Sequence, residues 1–138
     1  MLNNKTLAII KPDSVIKNNT GKIIDRILSA EFIIAAMEQR ELSNNDAKTF
    51  YKIHKERPFF EDLVSFMTSG PCVPIVLKKN NAVLSFRNLI GSTNPEEADF
   101  GTIRKDFAEN VQNNAVHGSD SDENAIKEIA FFFPTFEI

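Results

Sequence analysis

The stretch LAIIKPD, from Leu7 to Asp13, begins with four consecutive apolar residues and continues into a lysine followed by a proline. A short, fully apolar run that is soon followed by a proline, a residue that interrupts both helices and strands, is typical of a strand buried on both faces. Pro12 has no backbone N–H to donate to a ladder, so the strand should end at Lys11. We therefore predict that the fold is built on a buried strand over 7–10, with a lysine at its end.

Helical and extended patterns alternate along the rest of the chain, an order that favours an α+β sandwich. Between 91 and 116 the pattern weakens, and an irregular stretch of that length inside a compact domain usually has a function. We predict helices over Gly21–Ala30, from Ser43 to before Pro58 (carrying Phe50, Tyr51 and His54), over Glu61–Thr68, from Asn81 to Ile90, and from near Asp120 to Glu128; the predicted strands after the first are Phe32–Met37, Cys72–Leu77 and Ile129–Phe133.

Three local signals refine these elements. Ser43 and Asn44 are favoured residues for a helix N-cap. Asp120 and Glu123 have the spacing of a capping box, which places a helix start near Asp120. Pro74 lies inside the third predicted strand, which suggests an edge strand or a bulge because proline cannot donate to a sheet ladder.

Length and charge restrict the class of protein. The chain has 138 residues, 42% of them hydrophobic, and a net charge of −3, so we predict a single domain over 1–138. A negative net charge argues against a general coat for nucleic acid or an anionic membrane, because such binding needs a cationic surface. The lone Cys72 cannot form an intramolecular disulfide, and the first apolar run is too short for a signal sequence or a membrane span. We expect a cytoplasmic protein.

Three familiar motifs are incomplete here. The NTGK at 19–22 resembles part of a phosphate loop, but Ile16 replaces the required first glycine and Ile23 the Ser or Thr after the lysine. A calcium loop starting at Asp120 has Ala125 at the turn glycine and Phe131 at the bidentate glutamate. The two histidines form no HExxH pair, so a catalytic zinc has no support in the sequence.

Positive charge near the long loop suggests phosphate chemistry. Phosphoryl transfer depends on cations because negative charge spreads over the oxygens of the moving group. Arg87 and Arg104 flank the loop, Thr93 lies within it, and Lys11 ends the first strand. Together they are able to surround a di- or triphosphate. Taken singly, each cation also fits a simpler role: a helix-dipole partner, a surface charge, or the end of a strand.

The remaining candidates are a histidine and two aromatic residues. From its surroundings alone His117 is a nucleophile, a general base, a metal ligand or a polar turn residue, while His54 on a polar helix fits a structural or exposed position. Phe59 and Phe60 fit a core, but an aromatic at a helix start also stacks on a base without reading its edges.

Several short motifs, in order and spacing, make the whole chain similar to one family. They are KPD at 11–13, RPFF at 57–60, SGP at 69–71, TNP at 93–95, GTIR at 101–104 and NAVHGSDS at 114–121. Through them the chain resembles the nucleoside diphosphate kinases. The resemblance implies a ferredoxin-like α/β sandwich with a four-stranded antiparallel sheet covered by helices. It also implies ping-pong exchange of the γ-phosphate between nucleoside triphosphates and diphosphates such as ATP and GTP, with Mg²⁺ carried on the phosphates.

The resemblance also implies roles for individual residues. His117 matches the nucleophile, phosphorylated on Nδ1, and Glu128 matches the carboxylate that orients its ring. Ser119 matches a hydrogen-bonding neighbour of Glu128, and Tyr51 a partner of the lysine. The matched nucleotide-binding positions are Lys11, Arg87, Thr93, Arg104 and Asn114 for phosphate and ribose, and Phe59 and Val111 for the two sides of the base; no metal site of protein ligands alone is implied.

Two departures from the family pattern bear on the expectations. Ser14 follows KPD where the family usually has glycine. The chain ends in FFFPTFEI at Ile138, without the longer C-terminal segment of many members, so the expected homo-oligomer is a tetramer or a hexamer. No membrane association and no specific nucleic acid are expected. The alternative function is a non-catalytic nucleotide- or nucleic-acid-binding protein that has kept the pocket.

Overall fold

The computed structural model describes residues 4–137, so the predicted domain extends beyond the described part at both ends. Its strands are β1 (Lys5–Ile10), β2 (Ile33–Met37), β3 (Val73–Lys78) and β4 (Val116–Gly118). Its helices are α1 (Pro12–Ile16), α2 (Thr20–Ser29), α3 (Asn44–Phe50), α4 (Phe60–Met67), α5 (Ala82–Ile90), α6 (Ile103–Phe107) and α7 (Asp122–Phe132), with a short 3₁₀ turn over Lys52–His54.

The strands form one four-stranded sheet in the order β2-β3-β1-β4, with antiparallel pairing throughout. β1 is an interior strand, because it pairs with β3 over its whole length and with the short β4 on its other side. The side chains of residues 7–10 are fully buried. The predicted buried first strand and the α+β class with an antiparallel four-stranded sheet are therefore confirmed.

Both faces of β1 are buried because its side chains alternate between two apolar clusters. Ala8 and Ile10 pack with residues of α2 and α5, including Ile27 and Phe86. Leu7 and Ile9 pack on the opposite face with residues of α3, α4 and α7. Burying each large aliphatic side chain contributes roughly 1.5–3 kcal/mol. The sheet is thus covered by helices on both faces, and β1 holds the two cores together.

The strand predicted over Ile129–Phe133 is wrong. Residues Ile129 to Phe132 form the end of α7, and the fourth strand is Val116–Gly118, at the end of the stretch predicted to be irregular. Ala125, Ile129 and Phe132 are the buried residues of this helix, and their spacing of four and three is helical. A short apolar run of aromatic residues does not by itself distinguish a strand from a buried helical turn.

Of the two alternatives that Pro74 suggests for its strand, the edge position is wrong, because β3 is an interior strand. Its ring replaces the N–H on the side facing β2, where the regular pairing ends at Met37 opposite Ile75. The carbonyl of Pro74 still accepts from the N–H of Glu38 at 3.3 Å. The sheet irregularity lies instead in the β2–β3 pairing, between Ile34 and Ala36.

The helix ends agree with the sequence in part. Ser43 caps α3 in a capping box with Asp46, as its side chain predicts. Ser121, not Asp120, caps α7 by accepting from the N–H of Asn124, so the predicted start is displaced by one residue. Asn81 occupies the N-cap position of α5 in a left-handed conformation, without a capping hydrogen bond from its side chain. Among residues 4–137, no helix is both long and apolar enough to cross a membrane.

Candidate active site

His117 is the central residue of β4, where it lies opposite Ile9 of β1. Directly opposed residues of an antiparallel pair project from the same face, so the imidazole lies on the side of the sheet covered by α3 and α7. There the ring of Phe50 contacts it edge-on, with 5.7 Å between ring centroids. The sheet therefore holds a partly exposed histidine in a fixed orientation.

A carboxylate on α7 fixes one nitrogen of this ring. His117 Nε2 lies 2.8 Å from Oε1 of Glu128, and the same oxygen accepts from the Ser119 hydroxyl at 2.7 Å. Ser119 is in turn anchored to β1, because its oxygen accepts from the backbone N–H of Leu7 at 3.1 Å. Since Nε2 is engaged, Nδ1 is the ring nitrogen left for another partner.

A cavity of about 230 Å³ opens beside the ring. Its lining includes His117 and Glu128 together with Tyr51, Arg87 and Asp120. Tyr51 is almost fully buried, its hydroxyl has no hydrogen-bond partner within the described residues, and burial raises its pKa. A buried hydroxyl without a partner is costly, so a ligand that accepts a hydrogen bond would be favoured here.

Lys11 and Asn114 form a buried pair at the end of β1. The ammonium group of Lys11 donates to Oδ1 of Asn114 at 2.8 Å. The pKa of Lys11 is lowered to about 8, mainly by burial and to a smaller extent by the charge of nearby Arg104, while Asp13 opposes the shift. Loss of solvation makes a buried ammonium group costly unless negative charge is close.

Arg104 on α6 lies beside the histidine strand. Its guanidinium donates to the carbonyl of Val116 at 2.8 Å and to that of Gly91 at 3.1 Å. Its Nε is buried and has no partner among the described residues. Burial lowers the pKa of Arg104 to about 10, with a smaller contribution from the charge of Arg87.

The structure therefore brings three of the sequence-predicted cations together. Arg104 lowers the pKa of Lys11, and Arg87 lowers that of Arg104, so like charges repel at short range. An anion bound among them would relieve both the repulsion and the loss of solvation. Thr93 joins this region through its backbone, since its carbonyl lies 3.4 Å from the side-chain nitrogen of Asn114.

The two predicted base contacts lie outside the lining of this cavity. Phe59 and Val111 are about half exposed, at 48% and 54%. Their segments are adjacent, because the side chain of Gln112 donates to the carbonyl of Asp62 at 3.2 Å. Two exposed apolar side chains on adjacent segments offer surfaces on which a planar ligand could stack.

Two contributors to the site were missed by the sequence analysis. Gly118 follows the histidine, and a Cβ there would lie 2.8 Å from Cδ2 of Phe86, so the close packing of β4 on α5 requires glycine. Phe50 supplies the edge contact to the ring of His117. In the sequence, these two residues stand out only because they are next to the candidates His117 and Tyr51. Their contacts depend on which helix packs against which strand, and the sequence pattern does not show that.

Within residues 4–137, no group of three or more His, Cys, Asp or Glu side chains is arranged to hold a metal ion. The carboxylates lining the cavity are Asp120 and Glu128, and Oε1 of Glu128 is already shared by His117 and Ser119. The nearby cations favour a bound phosphate group, and the oxygens of such a group are themselves ligands for a divalent cation.

The chain is similar to known proteins both in sequence and in fold. The family profile described as nucleoside diphosphate kinase matches residues 4–138. A nucleoside diphosphate kinase of Nitratiruptor is 62% identical over 134 residues, covering 97% of this chain and 98% of the relative; one of Helicobacter hepaticus is 61% identical over the same shares. The solved structure of the Aquifex aeolicus nucleoside diphosphate kinase superposes with a TM-score of 0.94, at 43% identity and 98% coverage of both chains.

Similarity of sequence and of fold extends over nearly the whole length of both partners in each comparison. The chain therefore belongs to the nucleoside diphosphate kinase family of phosphotransferases.

Proposed function

We propose that this nucleoside diphosphate kinase works in two half-reactions through His117. In the first, the Nδ1 lone pair attacks the γ-phosphorus of a nucleoside triphosphate, the bond to the β-phosphate oxygen breaks, and the diphosphate leaves. In the second, a β-phosphate oxygen of another diphosphate attacks the phosphohistidine and Nδ1 is released. No net proton or redox change is required, so the protein's task is positioning and charge stabilisation.

The contact between His117 Nε2 and Glu128 Oε1, at 2.8 Å, is the observation that carries this proposal. A carboxylate that accepts the proton of Nε2 favours the tautomer whose Nδ1 lone pair is free to attack. It also stabilises the positive charge that the ring gains as the new bond forms. Ser119 holds the carboxylate in place from its other side, at 2.7 Å.

Two buried cations, Lys11 and Arg104, and the exposed Arg87 supply the charge that the transferred group needs. We assign Lys11, Arg87 and Arg104 to the phosphate oxygens, where a guanidinium binds two oxygens at once and a lysine acts as a point charge. Tyr51 and Asn114 extend the hydrogen-bonding surface around Lys11. The hydroxyl of Thr93, on an exposed turn, completes the clamp.

The base is assigned to the slot between Phe59 and Val111. Neither side chain has a hydrogen-bonding group, so stacking would hold the base without distinguishing its edges. ATP, GTP and the other common nucleotides are therefore all expected as substrates, with the corresponding diphosphates as acceptors.

Mg²⁺ is proposed as the cofactor, bound through the substrate. The ion prefers octahedral oxygen ligands and retains several waters, so phosphates supply ligands more readily than a protein cage does. Asp120 is an exposed carboxylate in the cavity lining and would help to hold the ion there. When bound, the ion neutralises negative charge on the β- and γ-phosphates.

A label-and-chase experiment tests the mechanism. Mixing the protein with γ-labelled ATP should give an acid-labile phosphoprotein, and adding GDP should discharge the label as GTP. The H117A variant should form no phosphoprotein, whereas H54A, which removes the other histidine, should still form it. Saturable binding of ATP without any exchange of phosphate would instead support a non-catalytic nucleotide-binding protein.

We also propose that the chain is a cytoplasmic homo-oligomer, a tetramer or a hexamer, of a single domain over 1–138. Support comes from β2, which lies at the edge of the sheet and exposes Ile33 (63%) and Met37 (46%). An exposed edge strand with apolar side chains is a surface that soluble proteins usually cover.

A further inference from the structure

Ala115, two residues before His117, has an unusual backbone conformation. Its φ is +74°, a value that residues with a Cβ rarely adopt. The N–H of Val116 donates to the carbonyl of Asn114 at 2.8 Å, which closes a γ-turn around Ala115. Turns of this type with positive φ are rare and strained, and they persist only where neighbouring groups hold them.

Both backbone groups of Ala115 are held by the segment that follows β1. The carboxylate of Asp13 accepts from its N–H at 3.1 Å, and its carbonyl accepts from the N–H of Lys11 at 2.8 Å. Asp13 and Ala115 are 102 residues apart in the sequence. The KPD segment therefore fastens the strained turn to the end of the central strand.

The residues on either side of this turn are those of the proposed site. Asn114, before it, receives the hydrogen bond from the ammonium group of Lys11. Val116, after it, offers its carbonyl to Arg104, and His117 is the next residue. A relaxation of Ala115 toward negative φ would therefore redirect Asn114 and the start of β4 together.

We propose that Asp13 is a positioning residue, which holds Ala115 in the γ-turn and thereby sets the positions of Asn114 and His117 for phosphoryl transfer. The inference rests on the role proposed above for His117. Asp13 does not line the cavity beside the ring; it reaches the site through its hydrogen bond to the backbone of Ala115 and through its charge, which acts on Lys11. The D13N variant separates the two, because it removes the charge and keeps a hydrogen-bond acceptor. The proposed function assigns no role to Asp13, the third residue of the KPD motif, and the contact with Ala115 supplies one.

Three single variants test the proposal: D13A removes the acceptor, D13N keeps a side-chain oxygen at the same place, and D25A removes an exposed carboxylate on α2 as a matched control. The first measurement is the single-turnover rate of His117 phosphorylation. Misplacement of reacting groups by about 1 Å costs on the order of a hundredfold in rate, so D13A should be slowed about ten- to a hundredfold. D13N should remain within about threefold of the unchanged chain, and D25A should match it.

The second measurement is amide hydrogen exchange at Ala115 and Val116 in the nucleotide-free protein. D13A should accelerate exchange at both amides while the amides of β1 and β3 keep their protection. A purely structural role would instead raise exchange across the sheet. Hydrogen exchange does not depend on turnover, so the two proposals can fail separately. Failure of the unchanged chain to form a phosphoprotein would refute the proposed function. Unchanged exchange at Ala115 and Val116 in D13A would refute the proposed role of Asp13.

The double variant D13A/A115G completes the test, because glycine adopts positive φ without a steric penalty. The double variant should phosphorylate His117 at least threefold faster than D13A does. The A115G single variant completes the double-mutant cycle. If D13A does not fold, recovery of folding and transfer in the double variant supports the proposal, and a double variant that stays unfolded or inactive overturns it. A D13A rate equal to that of the unchanged chain, or a D13N rate as low as that of D13A, also overturns it.

Discussion

The pairing of His117 with Glu128 joins two residues that are 11 apart in the sequence and belong to different elements. The sequence supplied both candidates through a resemblance, but not the distance or the nitrogen involved. Those depend on β4 and α7 packing together, and the local sequence pattern predicts neither β4 nor the helical end of α7. At the level of residues, chemistry is therefore easier to predict than geometry.

Replacing Glu128 by glutamine should separate turnover from binding. The amide is close in shape, but it is neutral and no longer stabilises the charge that the imidazole gains. We expect kcat to fall by about tenfold or more, while the affinity for ADP, measured calorimetrically, changes by less than about twofold. E123Q, on the exposed side of the same helix, is the control. Equal losses of turnover and of ADP affinity in E128Q would mean that the carboxylate maintains the fold.

Lys11 makes a pH-dependent contribution to stability. Burial lowers its pKa from 10.5 in the unfolded chain to about 8. Between these values the unfolded chain binds more protons than the folded one, so this group makes stability rise with pH over that window. Below about pH 8 the folded protein bears the full cost of a buried charge.

The K11M variant should therefore be more stable than the unchanged protein at pH 7, although it binds nucleotide poorly. We expect a gain of about 2 kcal/mol in the free energy of unfolding, from about 3 for the charge less about 1 for leaving Asn114 without its donor. Denaturant unfolding at pH 7 and near pH 10 measures it, and the gain should shrink at the higher pH. A difference that is the same at both pH values would contradict this account.

At the scale of elements, the sequence predicted strongly patterned segments and failed where tertiary contacts decide. β1 was predictable because its apolar run is uninterrupted, and α2 because its apolar residues recur at helical spacing. β4 has only three residues and exists because β1 offers an unpaired edge. The aromatic end of α7 resembles a strand locally, and its packing against the cluster around Leu7 and Ile9 makes it helical.

The N-terminus of α7 offers a test of this element, since Glu128 lies on it. The hydroxyl of Ser121 accepts from the N–H of Asn124 at 3.0 Å, whereas Asp120 only accepts from that residue's side chain. Loss of an N-cap costs about 1 kcal/mol, so S121A should lower the free energy of unfolding by about that amount. D120A should cost less than half as much. If thermal unfolding ranks the two in the opposite order, the cap would belong to Asp120, as its spacing to Glu123 first suggested.

At the scale of the whole molecule, the proposed site gathers side chains from both halves of the chain. Lys11 comes from the end of β1, Arg87 from α5 and Arg104 from α6. The chain as a whole carries a net charge of −3, yet here the charge of Arg104 lowers the pKa of Lys11 and the charge of Arg87 lowers that of Arg104. A local group of cations in an acidic protein attracts small phosphates without creating a general surface for nucleic acid.

The edge strand β2 carries the prediction about assembly. Its outer side chains Ile33 and Met37 are 63% and 46% exposed, and its unpaired backbone groups face away from β3. In a homo-oligomer with two-fold symmetry, the same surface of each of two chains meets at the interface. We therefore expect β2 of one chain to pair with β2 of a second chain. The unchanged protein should then have a mass that is a multiple of 15.5 kDa in light scattering.

The double variant I33D/M37D places two like charges on each side of that contact, where like charges directly opposed across strands are destabilising. Its mass should fall toward that of a single chain. Its melting temperature should fall as well and depend less on protein concentration, because association stabilises the folded state by mass action and the variant loses that contribution. K48D, an exposed charge reversal on α3, should leave the mass unchanged. Retention of the full mass by I33D/M37D would place the interface elsewhere, since two buried aspartates on each chain are incompatible with a paired apolar edge.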